Sequence, residues 1–483
     1  MNYYEIKFLM VYTMSWTNNG IATPALSGKY WLSITSNSTG TKLAAGFYGS
    51  IWTSNNGVWT DNSIATPALS GKSWISIASD STGTKLVACS DSIWTSNNGV
   101  WTDNGIATPA LSGKSWFSVA SDSTGTKLVA CSDSIWTSNN GVWTDNSIAT
   151  PALSGKNWTC VASDSMGTKL AACEYDGTIW TSNNGVWTDN TIATPALLAN
   201  WFSVASDSTG TKLVACSDGG GMWTSNNGVW TDNRIATPTL ATNFYSVASD
   251  STGSKLAACE NSGSIWTSNN GVWTDNSIAT PAISGKPWIS IASDSMGTKL
   301  AACEYGGSIW TLSNEIICFK EGTQILTKEG YKPIQELRKG DMVQTINGIK
   351  QIEIIGKKEI YHDASQERIK QLYKCSKEQY SELFEDLIIT GCHSILVDEL
   401  TEQERKKIID LFGKIYITDN KYRLPACVDT KTHVYEPSGT YTIYHVALEN
   451  ENYYSNYGIY ANGLLVESCS KRMLKEFSGM TFL

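Results

Sequence analysis

Four residues in the last third of the chain have side chains that could do covalent chemistry. Cys318 is a thiol, Thr390 and His393 belong to the sequence Thr-Gly-Cys-His, and His445 follows further on. A thiol is a nucleophile, and an imidazole carries protons near neutral pH. A thiol can break the peptide bond before it only if that amide is polarised and its nitrogen gains a proton as it leaves. The alternative is that these are packed core residues, as isolated cysteines, threonines and histidines usually are.

The composition of the chain changes abruptly near this cysteine. All 20 tryptophans lie between Trp16 and Trp310, and residues 1–317 carry only 14 of the 36 Lys and Arg and 21 of the 45 Asp and Glu. A chain of 483 residues is also longer than one hydrophobic core usually serves. We therefore expect two domains and a short C-terminal tail. The predicted boundaries are 14–314, 318–470 and 471–483.

An internal repeat of about 42 residues fills the first part of the chain. Its Gly-[Thr/Ser]-Lys-Leu motif occurs seven times, ending at Leu43, Leu86, Leu128, Leu170, Leu213, Leu256 and Leu300. Alternating and β-branched residues predict four short strands per unit, separated by turns such as Asp80-Ser-Thr-Gly and Asn98-Gly. Four antiparallel strands repeated seven times predict a seven-bladed β-propeller.

The two ends of the repeat region complement each other. The last unit stops after Trp310-Thr without its fourth strand, and the chain begins with Trp16-Thr-Asn-Asn-Gly, which is the missing piece. We expect this N-terminal strand to complete the last blade and close the ring, because closure removes open sheet edges.

The repeat resembles the Asp-box, or BNR-like, propeller repeats through Ser-Asn-Asn-Gly-Val-Trp, which is shorter and carries Asn for Asp. Such propellers include sialidases, but residues 1–317 contain a single arginine, Arg234, and binding a substrate carboxylate needs several. Glycosidase chemistry is therefore not expected. The tryptophans either form sugar-stacking pockets or fill the cores between blades, and we favour the cores. The sequence leaves two classes of ligand for the propeller, a protein or a glycan.

The second part of the chain resembles the Hint (Hedgehog/intein) family over about 318–468. The resemblance rests on the opening Cys318-Phe-Lys-Glu-Gly-Thr-Gln-Ile-Leu-Thr, the Gly340-Asp turn, Thr390-Gly-Cys-His, Ile443-Tyr-His-Val and Ala461-Asn-Gly-Leu-Leu-Val. It implies an all-β-dominated chain in which a β-rich Hint domain follows the propeller. We expect inserted amphipathic helices over Ser365–Leu387 and Glu399–Phe412, because their apolar residues recur at helical spacing.

The resemblance also implies a role for each candidate residue. Cys318 would attack the carbonyl carbon of Ile317 in an N-to-S acyl shift, which converts the scissile peptide bond into a thioester. His393 would protonate the leaving nitrogen, and Thr390 would hold the scissile peptide by a hydrogen bond. His445 is a second candidate acid or base.

Departures from the family pattern limit the expected reaction. Inteins end in His-Asn, whereas this chain has Glu467-Ser468 before Cys469, and serine has no amide that could cyclise. Splicing is therefore not expected. The position of the Hedgehog sterol-activating aspartate falls near Lys357 and Lys358, which disfavours sterol transfer. The predicted function is a self-processing precursor that cleaves once; the alternative is a propeller scaffold with an inactive Hint domain.

Other classes of partner are not expected. The cysteines lack the paired Cys-x-x-Cys spacing of a zinc site, and we expect no cofactor and no metal. The mild acidity and the absence of a basic stripe argue against nucleic acid. No stretch approaches the length of a membrane span, and no signal peptide is recognised, so a cytoplasmic location is expected.

Overall fold

The computed structural model describes most of the chain. The described residues are 15–219, 221–237, 240, 243–278, 280–313, 317–364, 371–412, 415–452, 455–471, 473–477 and 480–483. They fall into two compact units, the first being Trp16–Ser313 and the second containing the described residues from 317 onward. Strands dominate both units, as the sequence predicts.

The first unit is built from seven four-stranded antiparallel blades, one for each sequence repeat. Four blades are separate sheets, and additional strand pairings join the other three into one larger sheet. In the second blade the strands Ser76–Ser79, Lys85–Cys89, Ile93–Asn97 and Val100–Asp103 pair in chain order. They lie where the residue pattern predicts them, which confirms the prediction of four strands per repeat. The strands of this unit are Ser15–Asn18, Lys29–Ser36, Lys42–Gly49, Ile51–Asn55, Val58–Asp61, Lys72–Ser73, Ser76–Ser79, Lys85–Cys89, Ile93–Asn97, Val100–Asp103, Ser118–Ser121, Lys127–Cys131, Ile135–Asn139, Val142–Asp145, Trp158–Ser163, Lys169–Glu174, Ile179–Asn183, Val186–Asp189, Trp201–Ser206, Lys212–Ser217, Gly221–Asn226, Val229–Asp232, Phe244–Ser249, Lys255–Gly263, Ile265–Asn269, Val272–Asp275, Lys286–Ser293, Leu300–Gly307 and Ile309–Ser313.

Two kinds of turn connect the strands within a blade. Asn98 and Gly99 have φ angles of 49° and 83°, which is the left-handed conformation that an Asn-Gly hairpin turn needs. At the other turn the carboxylate of Asp80 accepts a hydrogen bond of 2.9 Å from the backbone N–H of Thr84. The side chains of the turn residues therefore fix where each strand ends.

Backbone hydrogen bonds close the seven blades into a ring. One serine in each blade donates its N–H to the carbonyl of a serine in the next blade at 2.9 to 3.0 Å, and the last bond returns to the first blade. These residues are Ser38, Ser81, Ser123, Ser165, Ser208, Ser251 and Ser295. The strand Ser15–Asn18 pairs with Ile309–Ser313 and completes the last blade. The predicted ring closure is confirmed.

Tryptophans and small apolar residues fill the spaces between blades. Six tryptophans lie at or within two residues of the start of the innermost strands and have 0 or 1% of their surface exposed: Trp31, Trp74, Trp116, Trp158, Trp201 and Trp288. The repeated cysteines are fully buried free thiols: Cys89, Cys131, Cys173, Cys216, Cys259 and Cys303. The tryptophans therefore serve as core residues, and the ring faces of these six are not open to stacking by a sugar.

Short helical turns connect successive blades. In the turn Pro67–Leu69 the proline sets the backbone angle of the first residue, and the carbonyl of Leu69 accepts the indole N–H of Trp74 at 3.0 Å. Among its described residues the unit has two short α-helices, Asn19–Ala22 and Asn104–Ala107. Its 3-10 helices are Pro24–Leu26, Pro67–Leu69, Pro109–Leu111, Pro151–Leu153, Asn190–Ile192, Pro195–Leu197, Asn233–Ile235, Asn276–Ile278 and Pro281–Ile283.

The second unit is a β-rich fold in which Gly348–His362 and Gly439–Leu448 form the longest strand pair. A 3-10 helix spans Ile334–Glu336. The strands are Phe319–Lys320, Gln324–Thr327, Gly330–Pro333, Met342–Thr345, Gly348–His362, Leu372–Cys375, Leu387–Thr390, Ser394–Val397, Ile417–Thr418, Lys421–Pro425, His433–Val434, Gly439–Leu448, Gly458–Ala461, Leu464–Glu467 and Thr481–Phe482.

One of the two predicted inserted helices is present. The helix Glu402–Phe412 confirms the prediction for Glu399–Phe412. The helix predicted over Ser365–Leu387 is wrong in its described part, and residues 365–370 lie outside the described residues. There the strand Leu372–Cys375 pairs with Leu387–Thr390 and buries its apolar side chains against the core, so long-range strand pairing overrides the local helical spacing.

The last residues of the chain pack onto the second unit. After the π-helix Met473–Phe477, the strand Thr481–Phe482 pairs with Gly356 and Lys357. The segment predicted as a tail therefore continues the sheet. No helix within the described ranges is long and apolar enough to cross a membrane.

Candidate active site

The short strand Phe319–Lys320 places Cys318 in the interior of the second unit. Phe319 pairs on one side with the strand that ends in Thr390, and on the other side with the strand that carries His445. Strand order thus brings together residues that are far apart in the sequence. Their side chains are buried, with Cys318 1% and His445 0% exposed.

Thr390 forms two hydrogen bonds with the backbone of Cys318. Its Oγ1 accepts a hydrogen bond of 2.9 Å from the N–H of Cys318, and its own N–H donates to the carbonyl of Cys318 at 3.1 Å. The nitrogen of Cys318 belongs to the peptide bond with Ile317, whose side chain is also buried. The hydroxyl of Thr390 therefore contacts the nitrogen of the predicted scissile bond.

His393 lies three residues after Thr390, and its ring is fully buried. Its Nε2 is 3.1 Å from the backbone oxygen of Glu467, and its Nδ1 has no hydrogen-bond partner. Because a carbonyl can only accept, the neutral ring carries its proton on Nε2 and has a lone pair on Nδ1. Burial lowers the pKa of His393, while the carboxylate of Glu467 and the backbone of Cys318 oppose that shift.

His445 is a second buried imidazole beside the first. The ring centroids of His445 and His393 are 5.1 Å apart, and both rings contact Phe319. Neither ring nitrogen of His445 has a hydrogen-bond partner. Burial, and then the neighbouring His393, hold the pKa of His445 well below its usual value. Both rings are therefore neutral at pH 7 and available to accept a proton.

The Cys318 thiol lies in an apolar surrounding. Burial, and then the neighbouring Cys469, raise its pKa well above the usual value, while the positive charge of Lys358 opposes the shift. The residues of this cluster are Cys318, Ile354, Ile443, Ala447, Cys469, Leu474 and Met480. The thiol is therefore protonated at neutral pH, and attack by its sulfur requires a base to take that proton.

Sequence reasoning missed the part that Glu467 plays in this site. Its carboxylate is 1% exposed and forms an ion pair of 3.0 Å with Arg423, which is itself buried. The amide of Asn456 donates to the same carboxylate at 3.2 Å, and the N–H of Ser394 does so at 3.2 Å. The only sequence signal was a carboxylate that ends the apolar run Leu-Leu-Val-Glu. Among the described residues no group of three or more His, Cys, Asp or Glu could hold a metal ion.

The two histidines should make the stability of this unit depend on pH. Their pKa values in the folded chain lie below the ordinary value of 6.5, so below about pH 6.5 the unfolded chain binds protons that the folded chain does not. The free energy of unfolding should therefore fall as the pH falls, by up to about 1.4 kcal/mol per pH unit for each histidine.

Hydrogen exchange can measure this effect in the full chain carrying Cys318→Ser. Protection of the strand Gly439–Leu448, corrected for the intrinsic exchange rate, should decrease from pH 7.5 to 5.5, and the decrease should be smaller in a chain that also carries His445→Phe. Tryptophan fluorescence serves as the internal control, since every tryptophan lies in the propeller. Equal pH dependence with and without His445 would contradict the assignment.

Comparison with known proteins shows which family and which structures this chain is similar to. Residues 317–472 match the family model of the Hint domain. YCF48 from Cyanidioschyzon merolae is 14% identical over 62% of this chain and 99% of its own, with a TM-score of 0.47. YCF48 bound to D1 peptide is 13% identical over 59% of this chain and 94% of its own, with a TM-score of 0.45. No curated protein matches this chain.

The propeller of the Myceliophteria thermophila protein Cps50 (Swd1) is a further similar structure. It is 12% identical over 58% of this chain and 96% of its own, with a TM-score of 0.42. The propeller fold of residues 16–313 is shown by the seven four-stranded blades and their closed ring of backbone hydrogen bonds. Residues 317–472 form a Hint domain, and in this chain that domain follows a seven-bladed β-propeller.

Proposed function

We propose that this protein is a self-processing precursor whose Hint domain cleaves the bond between Ile317 and Cys318 and releases the propeller. The observation that carries the proposal is the 2.9 Å hydrogen bond from the N–H of that bond to Oγ1 of Thr390, beside the buried ring of His393, which interacts with the backbone of Cys318. A nucleophile, a group that holds the scissile amide and a proton carrier meet in one buried site.

The first step is an N-to-S acyl shift. The neutral ring of His393 takes the proton of the Cys318 thiol, and the sulfur forms a bond to the carbonyl carbon of Ile317. The bond between that carbon and the Cys318 nitrogen then breaks, and the nitrogen receives a proton from His393 as it leaves. The products are a thioester at Ile317 and a free amino group on Cys318. Thr390 keeps the amide in place during the attack.

The second step resolves the thioester by an added nucleophile. Water or another nucleophile attacks the carbonyl carbon of Ile317, the bond to sulfur breaks, and the Cys318 thiol is regenerated. Hydrolysis leaves a carboxylate on Ile317. Ser468 has no amide nitrogen that could attack its own carbonyl, so the segment after it stays attached. The reaction is a single turnover for each chain.

Intact mass spectrometry of the freshly purified wild-type chain tests the proposal. We expect two fragments, one ending at Ile317 and the other beginning at Cys318, whose amounts grow with incubation time. A single uncleaved mass that persists in wild type, at neutral pH and with added thiol, would contradict it.

A propeller scaffold with an inactive Hint domain is the second candidate. The observation that favours it is the burial of the Cys318 thiol and the pKa raised well above the usual value, since a protonated thiol is a poor nucleophile. Under this alternative the propeller alone carries the function, as a binding module for a protein or a glycan. The same mass measurement separates the two candidates.

The C-terminal segment should control access to the thiol. Leu474 is 1% exposed and packs in the same cluster as Cys318. Leu474→Ala should lower local stability by about 2–5 kcal/mol and open the cluster. We expect faster alkylation of Cys318 by iodoacetamide, measured by peptide mass mapping in a chain carrying His393→Gln. Phe482→Ala, at a half-exposed position of the same segment, is the matched control. Equal alkylation rates in both variants would show that the segment does not cover the thiol.

A further inference from the structure

Two grooves of the propeller have the same lining one blade apart. The groove between the first and second blades has a volume of 620 Å³, and that between the second and third has 510 Å³. The first is lined by Thr53, Asn55 and Thr60 from one blade and Leu86, Ser96 and Gly99 from the next. The second is lined by Thr95, Asn97 and Thr102 together with Leu128, Asn140 and Gly141. The grooves are therefore a feature of the repeat.

Buried polar groups without partners lie at these grooves. Ser96 lines the first groove, is 3% exposed, and its hydroxyl has no hydrogen-bond partner. Trp101 is its cross-strand partner and Trp94 precedes it by two residues, so the three side chains share one face of the sheet. The indole nitrogens of both tryptophans also have no partner, but they lie beneath the groove and do not line it. Since buried polar groups are almost always hydrogen-bonded, the unpartnered hydroxyl of Ser96 in the groove lining points to a ligand.

The same unpartnered groups recur around the ring. The hydroxyls are those of Ser96, Ser138, Ser182, Ser225 and Ser268. The indole nitrogens are those of Trp16, Trp52, Trp59, Trp94, Trp101, Trp136, Trp143, Trp180, Trp187, Trp230, Trp266, Trp273 and Trp310. In the first blade the counterpart Ser54 instead accepts a hydrogen bond of 3.2 Å from Gly57. Because the unpartnered serine hydroxyl recurs in five blades, an irregularity in one blade does not explain it.

The lining defines the chemistry of the ligand. Each groove offers hydroxyl and amide groups beside leucine and valine side chains, and the only charged residue that lines it is a lysine, Lys42 or Lys85. The ammonium group of Lys85 already donates to the carbonyl of Thr124 at 2.9 Å. Residues 1–317 carry more acidic than basic side chains, which disfavours an acidic polymer. A neutral ligand with many hydroxyl groups and apolar ring faces fits this lining.

We propose that the grooves between the blades are repeated binding sites for a neutral saccharide. The hydroxyl and ring oxygens of the sugar accept hydrogen bonds from the unpartnered serine hydroxyls and from the asparagine amides that line the grooves. Several weak sites on one ring bind a multivalent glycan tightly. The proposal concerns the propeller alone and does not depend on cleavage by the Hint domain.

Binding to glycosylated albumin tests the proposal on the full chain carrying Cys318→Ala, which keeps the result independent of cleavage. The probes are albumin conjugates of galactose, fucose, mannose, glucose or N-acetylglucosamine, measured by biolayer interferometry. Unmodified albumin and a sialic acid conjugate are the controls. We expect saturable binding of at least one neutral conjugate and competition by the free sugar. Binding of none, or equal binding of unmodified albumin or of the sialic acid conjugate, would overturn the proposal.

Matched variants locate the binding. One chain carries arginine at five exposed threonines of the outer strands, to fill the grooves: Thr60, Thr102, Thr144, Thr188 and Thr231. The control chain carries arginine at five exposed isoleucines that line neither groove: Ile64, Ile106, Ile148, Ile192 and Ile235. We expect the threonine variant to lose binding by about tenfold or more and the isoleucine variant to keep it. Equal binding by the two variants, with unchanged thermal unfolding, would overturn the proposal.

Discussion

Replacing Cys318 with alanine should abolish cleavage and leave every chain at full length. The sulfur of Cys318 is the only nucleophile in the proposed first step, and uncatalysed amide hydrolysis is slower by many orders of magnitude. Intact mass spectrometry over several days at neutral pH measures the result. Cys318→Ser should restore at most slow cleavage, because a hydroxyl is a weaker nucleophile than a thiol.

Cys375→Ala provides the matched control for the loss of a buried thiol. Cys375 is also fully buried in the Hint domain, but it belongs to the main core and not to the cluster around Cys318. The control should cleave at a rate close to wild type. Cleavage at Ile317 in the Cys318→Ala chain would exclude this cysteine as the nucleophile.

Replacing His393 with glutamine should slow cleavage by about 10²- to 10⁴-fold, the usual contribution of a positioned acid or base. Glutamine keeps a polar group beside the backbone of Glu467 but carries no proton to the leaving nitrogen at neutral pH. The rate of fragment formation is measured from time courses of intact mass.

His433→Gln is the control for the histidine substitution, because His433 is exposed on a short strand of the same domain. It should leave the rate unchanged. If His393→Gln also cleaves at the wild-type rate, then the proton reaches the leaving nitrogen by another route, and His445 becomes the stronger candidate.

Much of the propeller could be predicted from the sequence because the residues that determine its strands and turns lie close together and recur in every repeat. The Asn98-Gly turn requires two positive φ angles, and the structure has them. The N-terminal fragment that completes the last blade could also be predicted, since the incomplete last repeat ends at Trp310 and needs one more strand. What the repeat could not reveal is which groups stay without partners. The unpartnered hydroxyl of Ser96 becomes visible only when neighbouring blades are placed side by side.

The Hint domain was less predictable because its site depends on long-range strand pairing. Motif resemblance placed Cys318, Thr390 and His393 in one site, and the structure brings them together through the pairing of Phe319. Helical spacing failed over 371–387, where strand pairing determines the conformation. The buried carboxylate of Glu467 and the packing of the C-terminal segment near the thiol both depend on contacts between distant parts of the chain, so local sequence patterns do not show them.

Trapping the thioester tests the central claim most directly. Freshly purified full-length chain is incubated with hydroxylamine, which attacks a thioester carbonyl, forms a hydroxamic acid and releases the thiol. The N-terminal fragment should then end in Ile317 hydroxamate, and the fragment that begins with Cys318 should carry a free thiol and a free amino group. An N-terminal fragment that appears without the hydroxamate mass at any hydroxylamine concentration, or a chain that stays intact, would contradict an N-to-S acyl shift at Cys318.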